Sequence, residues 1–312
     1  MQAYLLIIIF FAAGVGVNRF FTVRPDYAEH KRQLIKRLNI WIIQVALPAL
    51  IFLYVPSLVF SSLAIIPTLV AWVWIIISAI LVLLLGRLLS LRRDIIGAML
   101  LLVALGNTSF LGYPMILALL NKEVLAYAIF LDQFGSFIAL STFGTFVIAI
   151  YSSPTDAQLN KQELFRIILI KIITFAPLLA MLVALFLPIE TISLKLQPLL
   201  SLLGSSLMPA SLFVIGLQFQ ARLLSEHLPP LGIAIVLKMA MAPLLVWLVL
   251  DAADVPAVVL QASVFEMAMP AMMTPGILAM QANIAPRFCA SLLGYSTLLS
   301  LISLPLVAFL LS

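Results

Sequence analysis

The sequence predicts an all-α integral membrane protein with ten transmembrane helices. Of the 312 residues, 64% are hydrophobic and only 9% are charged, and the long apolar runs are apolar on every face. Ordinary soluble domains have about 45–50% apolar and about 25% charged residues, so a water-soluble protein is excluded. A transmembrane β-barrel is excluded as well, because its strands would alternate apolar and polar residues.

A helix that crosses the bilayer needs about 20 mostly apolar residues. Breaks rich in charged residues, proline or glycine separate ten such runs in this chain. We place them, as spans 1 to 10, at residues 2–20, 34–54, 63–88, 95–120, 124–150, 164–187, 195–219, 231–250, 257–282 and 286–311. The first run has no basic start and no cleavage site, so we interpret it as a span and not as a signal peptide.

The distribution of lysine and arginine predicts the orientation. Thirteen of these residues lie in or beside the connections that follow odd-numbered spans, whereas the other connections hold only Lys122 and Lys195. Positive residues favour the cytoplasmic side, so we expect both termini to lie outside the cytoplasm and the protein to lie in the cell (inner) membrane. The net charge of +5 is then a topology signal, and no nucleic-acid partner is expected. Cys289, His30 and His227 are too dispersed to predict a metal site.

The sequence predicts an internal duplication. A shift of 161 residues places LPALIF (47–52) on MPASLF (208–213), and PMILA (114–118) on PGILA (275–279). We therefore predict a first five-helix repeat, a cytoplasmic linker and a second five-helix repeat at residues 1–151, 152–163 and 164–312. Because each repeat has an odd number of spans, the second enters the membrane inverted relative to the first.

Spans 4 and 9 each contain a cluster of helix-breaking residues at corresponding positions of the two repeats. Proline and glycine destabilise helices, and unwound backbone at membrane depth is tolerated only inside protein or beside a wet cavity. Half-helix ends that meet there would offer N–H groups to an anion and carbonyl groups to a cation. The alternative is that each span has only a proline kink, whose freed backbone groups are hydrogen-bonded by neighbouring helices.

We predict that the two breaks form a substrate site. Its predicted residues are Asn107, Thr108, Ser109, Gly112, Pro114, Met269, Pro270, Thr274 and Pro275. Thr274, directly before Pro275, is expected to be the N-cap of the second half-helix of span 9.

Four charged residues lie inside predicted spans, where an ionised side chain costs about 2.5–3.5 kcal/mol. Lys171 and Lys238 are expected to extend toward the cytoplasmic surface. Asp132, which adjoins Gln133, and Glu266 are too short for that. We interpret Asp132, Gln133 and Glu266 as candidates for coupling to a proton or Na⁺, with structural pairing to Lys238 or to a hydroxyl group as the alternative. No other cofactor is expected.

The sequence has no GxSxG, HExxH or GxxxxGK[ST] motif, so it does not predict an enzyme. Its motif GNTSFLGYP (106–114), together with LPALIF and MPASLF, resembles the auxin efflux carrier family of membrane transporters in its bacterial form. The resemblance covers the whole chain and implies a fold similar to that of the bile acid sodium symporters. It implies inverted repeats with crossed helices 4 and 9, a scaffold of helices 1, 2, 6 and 7, a mobile transport domain of helices 3–5 and 8–10, and an elevator mechanism.

The resemblance also implies a carboxylate ligand that Asn107 helps to bind. Many members carry an amide at the second crossing, where this chain has Thr274. We therefore predict a secondary active transporter of a small organic anion, a mono- or dicarboxylate. The alternative is a membrane receptor that binds the ligand without transport. A homodimer through the scaffold helices is implied only by plant relatives.

Overall fold

The computed structural model describes residues 2–57, 62–152, 161–186, 196–220 and 228–311. Within these ranges the chain is helical and contains no β-strand, only one isolated bridge. Seven helices in the described part are long and apolar enough to cross a membrane. They coincide with predicted spans 1, 2, 3, 5, 7, 8 and 10. The prediction of an all-α, multi-pass membrane protein is thus confirmed.

The helices of the first half are α1 (Gln2–Val23), α2 (Ala28–Trp41), α3 (Leu47–Tyr54), α4 (Ile65–Leu88), α5 (Arg93–Ala104), α6 (Tyr113–Leu119), α7 (Lys122–Phe130) and α8 (Thr145–Tyr151). Those of the second half are α9 (Lys161–Ile173), α10 (Ala176–Phe186), α11 (Gln197–Ser205), α12 (Leu207–Gln218), α13 (Leu228–Val236), α14 (Ala242–Ala252), α15 (Ala257–Met267), α16 (Met273–Gln281) and α17 (Pro286–Leu311). Most of the predicted linker lies outside the described residues, as do Lys195, Arg222 and His227.

Predicted spans 4, 6 and 9 are discontinuous in the structure. Span 4 is divided between α5 and α6, and span 9 between α15 and α16, as the proline and glycine clusters predicted. Span 6 is divided between α9 and α10, which was not predicted. Pro177, the second residue of α10, has no N–H to donate to the carbonyl of Ile173 four residues earlier, and this accounts for the end of α9.

Five π-helical turns widen the helices in the part of the chain that the structure describes. They occupy Ile42–Ala46, Thr108–Gly112, Leu131–Phe137, Leu140–Gly144 and Leu237–Met241. Such turns are rare and are found mainly at functional sites. Three of them carry polar or charged side chains that are buried at one place: Thr108, Asp132 and Lys238. The π-helical turns therefore contribute directly to the candidate site.

The most extensive helix contact joins α1 to α12. Gly14 and Gly216 face each other there: a Cβ atom on Gly14 would lie 2.2 Å from the carbonyl oxygen of Phe213. Small residues let membrane helices approach closely. The helix α3 packs against α10 and α11, whereas α4 packs against α5, α7 and α15, and α7 also packs against α15. The candidate site lies in this second set of helices.

Candidate functional site at two paired helix breaks

The breaks in spans 4 and 9 contact each other through their backbones. The N–H of Asn107 donates to the carbonyl of Pro270 at 2.8 Å, and the N–H of Met272 donates to the carbonyl of Leu105 at 3.0 Å. Together they form an antiparallel bridge between Gly106 and Ala271. Backbone groups freed by the breaks are thus satisfied inside the protein, as the apolar surroundings require.

Asp132 is the acceptor at the centre of a buried hydrogen-bond network. The Thr108 hydroxyl donates to Oδ1 of Asp132. The Tyr113 hydroxyl and Nε2 of Gln133 both donate to Oδ2, at 2.8 Å and 2.7 Å. Because O–H and N–H donors stabilise a carboxylate, this network favours the ionised form of Asp132.

Glu266 lies against Gly112, the last residue of the π-helical turn Thr108–Gly112. It is fully buried at the end of α15, and both of its carboxylate oxygens have no hydrogen-bond partner among the described residues. A Cβ atom on Gly112 would lie 2.7 Å from Oε2 and 2.8 Å from Oε1 of Glu266. Only glycine leaves room for the carboxylate at this position. Asp132 and Glu266 therefore lie in one cluster but in different environments.

The prediction for Lys238 was wrong. Instead of extending to the surface, its side chain is 1% exposed and its Nζ has no hydrogen-bond partner among the described residues. A Cβ atom on Gly106 would lie 2.9 Å from that Nζ. The ammonium group interacts electrostatically with Glu266, and this attraction compensates part of the loss of solvation on burial. The side chain of Lys171 is outside the described residues.

Other predicted site residues occupy varied positions. Asn107 is 2% exposed, and its Nδ2 has no partner among the described residues. Ser109, Pro114, Met269, Pro270 and Pro275 are also buried near the breaks. Thr274 is exposed and is the second residue of α16; Met272, in extended conformation, precedes the helix. The N-cap prediction for Thr274 was therefore wrong, because the helix begins one residue before it.

Two contributors stood outside the predicted site: Tyr113 was not assigned, and Lys238 was named only as an alternative partner of the buried carboxylates. Tyr113 belongs to the motif GNTSFLGYP, but only the structure shows that its hydroxyl donates to Asp132. For Lys238 the sequence contains a usable signal: a basic residue inside span 8 and acidic residues, Asp132 and Glu266, inside spans 5 and 9. A balance of charges among buried residues points to their proximity.

A polar site with charged residues, enclosed by membrane-crossing helices, is typical of membrane transporters. A family model described as membrane transport protein matches residues 4–308. The chain therefore belongs to this family, the auxin efflux carrier family, which confirms the resemblance seen in the sequence.

A curated relative is similar to about half of the chain. It is an uncharacterised transporter of the archaeon Methanocaldococcus jannaschii, 32% identical over 167 residues. The match covers 52% of this chain and 51% of that relative, so the chain spans about half the length of the curated relative it matches. That similarity supports membrane transport as the general activity.

Proposed function

We propose that the protein is a secondary active transporter of a small organic anion, a mono- or dicarboxylate, and that the anion binds where spans 4 and 9 meet. The observation that carries this proposal is the buried, unpartnered Nδ2 of Asn107 beside two paired helix breaks. A buried donor without an acceptor costs free energy, and a ligand carboxylate would supply the acceptor. The N-terminus of α16, which begins at the break, adds partial positive charge.

The proposed architecture is ten transmembrane helices in two inverted repeats with crossed helices 4 and 9. Two features support it. The breaks in spans 4 and 9 occur at positions that the shift of 161 residues relates. The two unwound segments also run antiparallel where they pair at Gly106 and Ala271. Antiparallel backbone at repeat-related breaks is expected when one repeat enters the membrane inverted.

The proposed mechanism is elevator-type alternating access. Helices of spans 1, 2, 6 and 7 contact one another through the pairs α1–α12, α3–α11 and α3–α10. Spans 3, 4, 5, 8 and 9 contact one another through α4–α5, α7–α15 and α14–α15. This grouping supports a scaffold of helices 1, 2, 6 and 7 and a transport domain of helices 3–5 and 8–10 that carries the site. A homodimer through the scaffold belongs to the same proposal.

We place the protein in the cell (inner) membrane with both termini outside the cytoplasm, as the lysine and arginine distribution predicts. The division of the chain into repeats at residues 1–151 and 164–312 stays a prediction, as does the homodimer. Cysteine-free protein with single cysteines placed in the connections, labelled from one side of the membrane, would test the orientation.

The proposal is tested with the purified full-length protein in liposomes. A panel of radiolabelled mono- and dicarboxylates is offered under separately varied pH, sodium and electrical gradients. Saturable uptake of at least one carboxylate is expected. Asn107→Ala should weaken the binding of that carboxylate by about 1–3 kcal/mol, the cost of one lost buried hydrogen bond. Unchanged affinity in this variant would remove Asn107 from the site.

The competing hypothesis is a membrane receptor that keeps the transporter fold. Saturable binding of a carboxylate without flux, in liposomes where a control transporter is active, would favour the receptor. Neither binding nor flux for any member of the panel would refute the proposed substrate class.

A further inference from the structure

Three buried charged side chains surround the two breaks: Asp132, Lys238 and Glu266 are 2%, 1% and 0% exposed. If all three were ionised, the cluster would carry one uncompensated negative charge. An uncompensated charge in an apolar interior is costly, so the cluster requires one further proton or cation. The structure distinguishes the two carboxylates that could take it.

Asp132 has its charge stabilised by neighbours. Three donors, from Thr108, Tyr113 and Gln133, point to its two oxygens. Protonation of Asp132 would turn these charge-assisted hydrogen bonds into neutral ones, which are roughly half as strong. Of the two carboxylates, Asp132 is therefore the one whose anion is stabilised by hydrogen bonds.

Glu266 has no such donors. Both of its oxygens are buried without a hydrogen-bond partner among the described residues, although they lie against Gly112. Within the described ranges, the charge of Glu266 is compensated by the electrostatic attraction of Lys238, which the negative charge of Asp132 opposes. The neutral acid removes the unsolvated charge, so of the two carboxylates Glu266 is the one that gains from binding a proton.

Among the residues that the structure describes, no other charged side chain lies close to Glu266. The helices packed against α15 carry further ionisable side chains, but those that are charged lie exposed at helix ends: Arg87, Lys122, Glu123, Asp251 and Arg287. The remaining ones are the phenols Tyr113, Tyr127 and Tyr295 and the thiol Cys289. Whether Glu266 is protonated therefore depends on the charges of Lys238 and Asp132.

We propose that Glu266 carries the coupling proton of the transport cycle and that Lys238 is its internal counter-ion, whereas Asp132 stays ionised throughout. The proposal rests on the proposed function and specifies its coupling. A protein ammonium group beside the break also raises the free energy of a second cation there, because like charges repel across a short apolar distance. Uptake should thus depend on a proton gradient and not on sodium.

The proton assignment is tested without substrate. Infrared difference spectra of the purified protein in lipid, recorded between acidic and neutral pH, report the carbonyl stretch of protonated carboxyl groups. The wild type should show a signal from a buried acid, which Glu266→Gln removes and Asp132→Asn keeps. Glu123→Gln, which changes an exposed carboxylate on α7, is the matched control and should keep the signal.

A second set of variants tests the counter-ion. Lys238→Met should increase the signal of protonated acid at neutral pH, because Glu266 then has no positive neighbour, and adding Glu266→Gln should abolish that increase. If Glu266→Gln does not fold, Glu266→Asp replaces it and should keep a titrating acid signal. Loss of the signal in Asp132→Asn with its retention in Glu266→Gln would overturn the assignment, as would the lack of any buried acid signal in the wild type.

The coupling is tested with radiolabelled succinate and malonate as probes. With the membrane potential held at zero by a permeant counter-ion, one proton per anion allows about tenfold accumulation for a pH difference of about one unit. Glu266→Gln should lose this accumulation but still exchange internal for external probe, and replacing sodium by potassium should change nothing in the wild type. Accumulation driven by sodium alone would refute the coupling. If neither probe enters, the proposed function fails for these two anions, while the infrared result still decides the proton assignment.

Discussion

The contact between α1 and α12 predicts opposite effects for two glycine substitutions on one helix. A Cβ atom on Gly14 would lie 2.2 Å from the carbonyl oxygen of Phe213, whereas ordinary contact begins at 3.4 Å, so the two helices would have to separate by about 1.2 Å. Gly16, two residues later, has no heavy atom within 4 Å of its added Cβ. Gly14→Ala should therefore destabilise the protein, and Gly16→Ala should not.

The expected magnitude comes from two contributions. Alanine is favoured over glycine within a helix by about 0.8–1.0 kcal/mol, and this gain is common to both variants. Overpacking of a close contact costs about 1–3 kcal/mol, and it applies only to Gly14→Ala because the obstructing atom belongs to the backbone. The free energy of unfolding of Gly14→Ala should thus be about 1–3 kcal/mol below that of Gly16→Ala.

The single cysteine of the chain provides the assay. Cys289 is fully buried in the structure, so a thiol-reactive fluorescent dye should label it only as the protein unfolds on heating. Gly14→Ala should unfold at a lower temperature than Gly16→Ala in the same detergent. Equal unfolding temperatures would show that α1 and α12 do not approach at Gly14, and would refute the packing described here.

Three further predictions use the same thiol assay. Tyr113→Phe should destabilise the protein by about 1.5–3 kcal/mol, because Asp132 loses one charge-assisted hydrogen bond in a buried site; no change would mean that the hydroxyl is not paired. Asn18→Ala removes two hydrogen bonds, one from Nδ2 to the carbonyl that follows α12 (2.7 Å) and one from Nζ of Lys31 to Oδ1 (2.6 Å), and should cost about 1.5–3 kcal/mol; equal stability would disprove both bonds. Gly112→Ala should cost about 1–3 kcal/mol through overpacking, whereas Gly232→Ala, whose Cβ meets nothing within 4 Å, should not; a reversed order would refute the close approach at Gly112.

Much of the fold could be predicted because hydropathy is a local property. A run of about 20 apolar residues lowers its free energy by entering the bilayer wherever it lies in the chain. Proline and glycine break helices through their own backbone chemistry, so the breaks in spans 4 and 9 were also predictable. The break at Pro177 was not predicted, because span 6 is one continuous apolar run and its single proline was not treated as a helix break.

The candidate site was only partly predictable. Asn107, Thr108, Asp132 and Glu266 were identified because polar residues in apolar spans are costly and require a reason. The hydrogen-bond and charge partners of each side chain could not be predicted, because hydropathy does not show which groups come into contact. The prediction for Lys238 failed because it assumed that the ammonium group can reach water. Whether it can depends on how helices that are far apart in the chain pack around the side chain.

The sequence by itself determined that this is a membrane protein of the transporter type, where its helices are interrupted, and which few polar residues lie at membrane depth. Only the tertiary structure decided that the two interruptions pair through their backbones and that Asp132 receives three hydrogen bonds. It also decided that Glu266 receives no hydrogen bond from any residue that the structure describes, and that the ammonium of Lys238 is buried near it. The physical reason is that burial of apolar residues is a property of each segment, whereas charge compensation is a property of groups that folding brings together.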